Sequence, residues 1–277
     1  MSPMSRRHLM LAATGLVAVL AACSTAAAPA AGAPADLLSH RAAYRLTLAK
    51  PSGSPSPGTG MESVRGGLVL EWRADCTGWL SQQRLGFVAK PSEGADVTQD
   101  VRFSSWEATD FTQLRFQVRT FEDGKEKEAV SGAAALASPG GKGEVQYTQP
   151  EASRVELPQG TLFPTEHVRH LIKAARSGER IVNNYVFDGS GAEALNLVAA
   201  VIGQAVQAAR DDGTPEQRWP VHLSYYKVDD ADALPDFQIR FNLSEIGVLH
   251  DIVLDYGEFA LKGELEKLER LGEPKCN

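Results

Sequence analysis

Apolar and polar residues alternate along Leu114–Phe121, with Leu114, Phe116 and Val118 on one parity and Arg115, Gln117 and Arg119 on the other. The same period of two runs through Val221–Tyr225 and Phe237–Leu243. A period of two buries one face of a strand and leaves the other wet. Further strands are predicted at 41–49, 64–74, 79–89, 97–106, 126–136, 143–148, 181–187, 248–256 and 258–267, separated by turn clusters such as Glu122-Asp123-Gly124, Pro139-Gly140-Gly141 and Asp188-Gly189-Ser190-Gly191. This rhythm fits an antiparallel meander better than parallel βαβ units. About a dozen strands in one sheet must curl. Ala192–Ala209 is rich in alanine, yet Leu195, Leu197, Ala199 and Val201 alternate, and residues 194–203 are read as strand. Pro51–Pro57 reads as a mobile loop.

One segment carries a different period. Val168, Leu171, Ile172 and Ala175 fall at i, i+3, i+4 and i+7. Pro164 suits a first helical position, Glu166 the first turn, Lys173 and Arg176 the last turn, and Gly178 the stop. A helix over about 164–177 is predicted, with its apolar stripe on the concave side of the curled sheet.

The amino terminus belongs to targeting rather than to the fold. Arg6 and Arg7 precede an apolar run from Leu9 to Ala22, which makes residues 1–22 an export signal. The run is too short for a bilayer span of roughly 20 residues. Ser5-Arg6-Arg7-His8-Leu9 fits a twin-arginine signal, and an ordinary Sec signal with two arginines fits equally. Leu20-Ala21-Ala22-Cys23 resembles a lipobox, in which Cys23 takes the lipid; cleavage at Ala28-Pro29-Ala30 or Ala33-Pro34-Ala35 is the competing reading. In lipoproteins of this kind Ser24, where an aspartate would favour the inner membrane, suggests the outer membrane. Residues 23–36, nearly all Ala, Pro, Gly, Ser and Thr, read as a tether, and 37–277 as one domain. The expected location is the periplasm, anchored to the outer membrane through Cys23.

With 43% hydrophobic residues in 277, wholesale disorder is excluded. A net charge of −7 argues against a general nucleic-acid partner. Three cysteines are present, and Cys23 is consumed or removed by maturation. Cys76 and Cys276 remain in an oxidising compartment. A structural disulfide between them, shielded from reductants, is the economical reading; two free thiols are the alternative. No Cys-x-x-Cys pair begins a zinc site.

Candidate chemistry is sparse. His167 and His170 lie three apart beside Glu166, but they match neither His-Glu-x-x-His nor its inverse, so no metal is expected. The plainer reading has one of them hydrogen-bonded to a neighbouring strand and the other in water. Asp188-Gly189-Ser190-Gly191 lacks the nucleophile-elbow spacing. No phosphate loop or dinucleotide fingerprint occurs, and no cofactor or catalytic residue is implied. Asp211-Asp212 and Asp229-Asp230 read as solvated turns. Arg73, Arg84, Arg102, Arg115 and Arg119 fall at or near outward strand positions. They read either as paired surface charges or, with Arg115 and Arg119 the best candidates, as a stripe for an anionic ligand.

Four segments stand out together: His40-Arg41-Ala42-Ala43-Tyr44, Phe163-Pro164-Thr165-Glu166-His167, Phe187-Asp188-Gly189-Ser190 and Asp255-Tyr256-Gly257-Glu258-Phe259. In this order they resemble the EipB family of periplasmic cell-envelope integrity proteins. The resemblance runs over about 37–277. It implies a mainly β fold, an open, barrel-like β-spiral of curled antiparallel sheet with one prominent helix packed against it. It also implies a disulfide between an early strand region and the carboxyl terminus, here Cys76 and Cys276, a role in envelope integrity, and no enzyme activity or cofactor. A lipobox at Cys23 departs from a freely soluble family member.

The leading expectation is therefore a non-enzymatic, monomeric binding or scaffold module whose partner is an envelope protein, lipid or polysaccharide, touching the membrane only through Cys23. The alternative is a lipid or lipoprotein carrier, which needs an apolar cavity in the curled sheet. A hydrolase of envelope polymers would need convergent titratable groups in a cleft.

Overall fold

The computed structural model describes residues 37–51, 60–191, 194–210, 212–228 and 234–276. The export signal, the tether with Cys23 and the loop at 52–57 lie outside the described residues.

Sixteen strands and one helix follow in order. They are β1 (His40–Ala49), β2 (Met61–Ala74), β3 (Gly78–Pro91), β4 (Val97–Ala108), β5 (Gln113–Glu122), β6 (Lys125–Leu136), β7 (Gly143–Gln149), β8 (Ser153–Leu157), β9 (Thr161–Leu162), α1 (Pro164–Ser177), β10 (Ile181–Phe187), β11 (Leu195–Ile202), β12 (Val206–Ala209), β13 (Pro215–Lys227), β14 (Phe237–Ser244), β15 (Leu249–Asp255) and β16 (Ala260–Arg270). The order across the sheet is β8-β7-β6-β5-β4-β3-β2-β1-β16-β15-β14-β13-β11-β10-β9, with β12 beside β13. Neighbours are antiparallel except β9 and β10. The first half meanders out from β1 to β8. The second half runs back from β9 to β16, which pairs with β1 along ten residues. Residues 158–160 alone join the two end strands, so the barrel-like sheet closes except for a seam between β8 and β9.

Curling has a local cause. The ladders slip register at Ala43/Tyr44, Met61/Ser63, Thr120/Phe121, Ser131/Gly132 and Arg240/Asn242. Each bulge adds a residue to one strand, increases its twist and bends it.

The helix fills the inside of this curl. Leu171, Ile172, Ala174 and Ala175 are buried in one core cluster with Tyr44, Leu46, Val198, Leu223 and Ile252, contributed by strands from both halves. A second cluster forms near the seam from Leu114, Phe116, Val118, Val145 and Leu157 of β5–β8 with Phe163 and Phe187. Gly178 ends the helix in the left-handed region (φ 84°), its N–H donating to the Ala174 and Ala175 carbonyls.

The helix and the thirteen strands expected from the pattern are present, including β11, whose alanines favour helix. Tertiary pairing between β10 and β13 decides for strand there. Three strands carry no alternation to betray them. In β8 only Leu157 is buried, β9 has two residues, and β12 is short and exposed.

Cys76, in the turn between β2 and β3, is bonded to Cys276, beyond β16, with 5.5 Å between Cα atoms. The expected shielding is corrected: both cysteines are exposed. Beyond Arg270 the tail pairs with no strand and Gly272, Glu273 and Lys275 are exposed, so the bond lies on the surface.

Candidate functional site

The helix begins without a capping side chain of its own, because Phe163 occupies the N-cap. A carboxylate from across the sheet takes that place. Glu107, buried on β4, accepts the Thr165 N–H at 2.7 Å and the Glu166 N–H at 3.1 Å. Pro164 has no N–H, so those are two of the three N–H groups that this helix start leaves open. Burial pushes the Glu107 carboxyl up to about 7, against the opposing pull of these donors. No pattern in the sequence links Glu107 to a helix 58 residues later. His167 is fully enclosed. Burial, with His170 nearby, pulls its imidazole down to about 4. Its Nε2 has no hydrogen-bond partner among the described residues, and His170 is half-buried rather than in open water.

The remaining motif residues also serve the fold. Phe163 and Phe187 meet edge-to-face at 6.5 Å, and Phe187 meets Phe116 at 5.4 Å. Gly189 sits in the left-handed region (φ 71°), and a Cβ there would stand 2.5 Å from the Phe116 ring. Asp188 Oδ1 accepts the Ser190 N–H at 2.9 Å, which fixes the turn. Tyr44 donates its hydroxyl to the Leu249 carbonyl at 2.8 Å, and Asp255 accepts the Gly257 N–H at 3.0 Å.

The outer face of β3, β4 and β5 gathers the arginines. Arg84, Arg102 and Arg119 are lateral partners in the ladder, one per strand. Two residues along lie Gln82, Ser104 and Gln117, and two further on Leu80, Trp106 and Arg115. The side chains of Arg84, Arg102 and Arg119 are 64%, 53% and 49% exposed. Asp100 holds Arg84 at 3.0 Å and Arg102 at 2.7 Å, and this pair keeps its carboxyl below the usual range. Glu126 holds Arg119. Arg102 and Arg119 share the Phe121 ring, at 4.7 and 5.5 Å, and Arg115 lies 5.0 Å from the Trp106 ring. Arg73 is set apart, 4.0 Å from Glu71. A groove of about 500 Å³ runs over this face, lined by Arg41, Glu71, Arg84, Arg102, Ser104 and Gln117 among others. The sequence reading placed Arg115 and Arg119 outward correctly, but it could not show the register that aligns three guanidinium groups.

A second ionic centre lies on the other half of the sheet. Glu216, 2% exposed, accepts from Arg210 Nε at 3.1 Å and Arg218 Nε at 2.7 Å, with His250 Nε2 at 3.6 Å. It borders a cavity of about 410 Å³ that also touches Leu268 and Arg270. Its guanidinium and carboxylate groups are matched to each other, which makes it a stabilising network. Among the described residues no group of three or more histidine, cysteine or acidic side chains gathers to hold a metal.

Comparison with known proteins fits this architecture. The family model described as EipB-like matches residues 31–272. The chain belongs to the EipB-like family. It is 31% identical over 272 residues to the cell envelope integrity protein EipB of Brucella abortus (strain 2308), an alignment covering 95% of this chain and 94% of the relative. It is also similar, at 30% identity and a TM-score of 0.75, to the crystal structure of a beta-barrel-like protein of domain of unknown function DUF1849 from Brucella abortus. That alignment covers 85% of this chain and 98% of the solved one. The motifs behind the EipB-like resemblance account for helix entry, aromatic packing and turns. The arginine face belongs to none of them.

Proposed function

We propose that this EipB-like chain maintains the integrity of the bacterial envelope from the periplasm, without catalysis, as a binding or scaffold module that meets its partner through its outer surface. The role in envelope integrity follows the name of its Brucella relative. The periplasmic address follows the basic and apolar pattern of residues 1–22, and the lipobox at Cys23 supports an anchor in the outer membrane.

One observation carries the choice between scaffold and carrier. The inner face of the curled sheet is taken by the protein's own helix, with Leu171 and Ile172 1% and 2% exposed among inward side chains of both halves. A carrier would need that volume for a ligand. Protein purified natively from the envelope and extracted with organic solvent should release no stoichiometric lipid by mass spectrometry. One lipid per chain would overturn the scaffold reading.

A further inference from the structure

We propose that the outer face of β3, β4 and β5 binds an acidic glycan of the envelope. This names the partner chemistry of the binding role above and rests on it.

The argument begins with a cost. Like charges directly opposite one another in a ladder destabilise it, yet Arg84, Arg102 and Arg119 stand in one lateral row across three strands. With neighbouring strands about 4.8 Å apart, the row spans about 10 Å. Two carboxylates answer these three guanidinium groups, and one of them, Asp100, is shared. Arg115 has no carboxylate partner among the described residues and lies against Trp106 instead. In a chain of net charge −7 this face holds an excess of positive charge. Guanidinium groups present paired donors that match carboxylates and phosphates two bonds at a time.

What flanks the row selects the kind of anion. Gln82, Ser104 and Gln117 form a row of neutral donors and acceptors about 7 Å along the strands, suited to sugar hydroxyls. Beyond them Trp106 offers an aromatic surface for the C–H face of a sugar ring. The arginine row and the neutral row line one groove of about 500 Å³, with Trp106 just beyond its lining, so anion, hydroxyl and ring contacts follow one another along the strands, as a polymer with charged and neutral units requires. The aromatic rings of this face carry its arginines, Phe121 under Arg102 and Arg119 and Trp106 beside Arg115, and Val69 is the exposed large aliphatic in the groove, whereas a face built to lie on a bilayer would present several.

The test uses the mature full-length chain and, as probe, a deacylated lipopolysaccharide oligosaccharide carrying its phosphates and acidic sugars, titrated calorimetrically. Binding is expected, weakening as salt is raised, with none to a neutral maltooligosaccharide of similar length. Substituting Arg84→Gln, Arg102→Gln and Arg119→Gln together should weaken binding about tenfold or more, the loss of several charge-assisted contacts. Arg115→Gln, which disturbs only the Trp106 stack, should weaken it less. Arg154→Gln, on exposed β8, should leave it unchanged. Undiminished binding by the folded triple variant would overturn the proposal, as would failure of the wild-type chain to bind the oligosaccharide. Should the triple variant not fold, undiminished binding by Arg115→Gln would do the same. Equal affinity for phosphatidylglycerol vesicles would also overturn it, assigning the face to lipid headgroups. A lipid-free protein that ignores the glycan would sink this proposal alone. Co-purified lipid would sink the scaffold reading.

Discussion

Glu107 and His167 lie in the seat of the same helix start and titrate in opposite senses. In the unfolded chain a glutamate loses its proton near 4.5, but in the fold Glu107 keeps it to about 7. The native state therefore holds more proton across that window, and this group makes stability fall as pH rises through it. His167 behaves inversely. Its folded value of about 4 lies below the ordinary 6.5, so the unfolded state binds the extra proton and stability falls as pH drops from 6.5 to 4. Glu107→Gln keeps one acceptor for the helix N–H groups and removes the upper dependence. Its melting temperature should drop less than that of the wild type between pH 5 and pH 8, while the acid loss remains. Equal drops in both proteins would show that Glu107 is not the titrating group. Gly189→Ala should cost several kcal/mol, since it adds a left-handed backbone penalty to a clash with Phe116. Chemical denaturation would show it, and an unchanged midpoint would contradict the packing. The sequence marked Gly189 and His167 as motif members but offered no trace of Glu107. Contacts between a strand and a distant helix leave no local period.

At the level of elements, α1 depends on what it buries. Leu171 is 1% exposed among core residues drawn from both halves of the sheet. Leu171→Ala should lower stability by about 2–5 kcal/mol. A Leu171→Ala protein that melts with the wild type would mean the stripe faces elsewhere. The helix was legible because its apolar spacing and end signals agree, and the long strands were legible because one face is wet. The edge strands were not. Neither β8 nor β12 buries a whole face, and β9 is fixed by its pairing with Tyr185 and Val186 rather than by its own residues. The arginine row shows the same limit. Outward parity can be read from β5 by itself, but the alignment of Arg84, Arg102 and Arg119 depends on hairpin registers that only the folded sheet fixes.

As a whole molecule the chain is a curl whose end strands, β8 and β9, do not pair; its helix fills the inside, and a disulfide fastens the carboxyl-terminal tail. The Cys76–Cys276 bond spans 200 residues and joins the carboxyl-terminal tail to the β2–β3 turn. Constraining so long a loop stabilises the fold by a few kcal/mol, about 5 at the upper limit. Because both sulfurs sit on exposed residues, dithiothreitol should cleave the bond without denaturant and lower the melting temperature. Resistance of the native bond to reductant, or equal melting with and without it, would contradict this. The central claim is that a helix-filled curl serves the envelope through its outer arginine face. The most direct measurement is detergent survival of the native host lacking the gene and complemented by the Arg84→Gln, Arg102→Gln, Arg119→Gln chain. The account predicts a protein exported and folded at wild-type levels that leaves the cells detergent-sensitive; full rescue by that variant would contradict it.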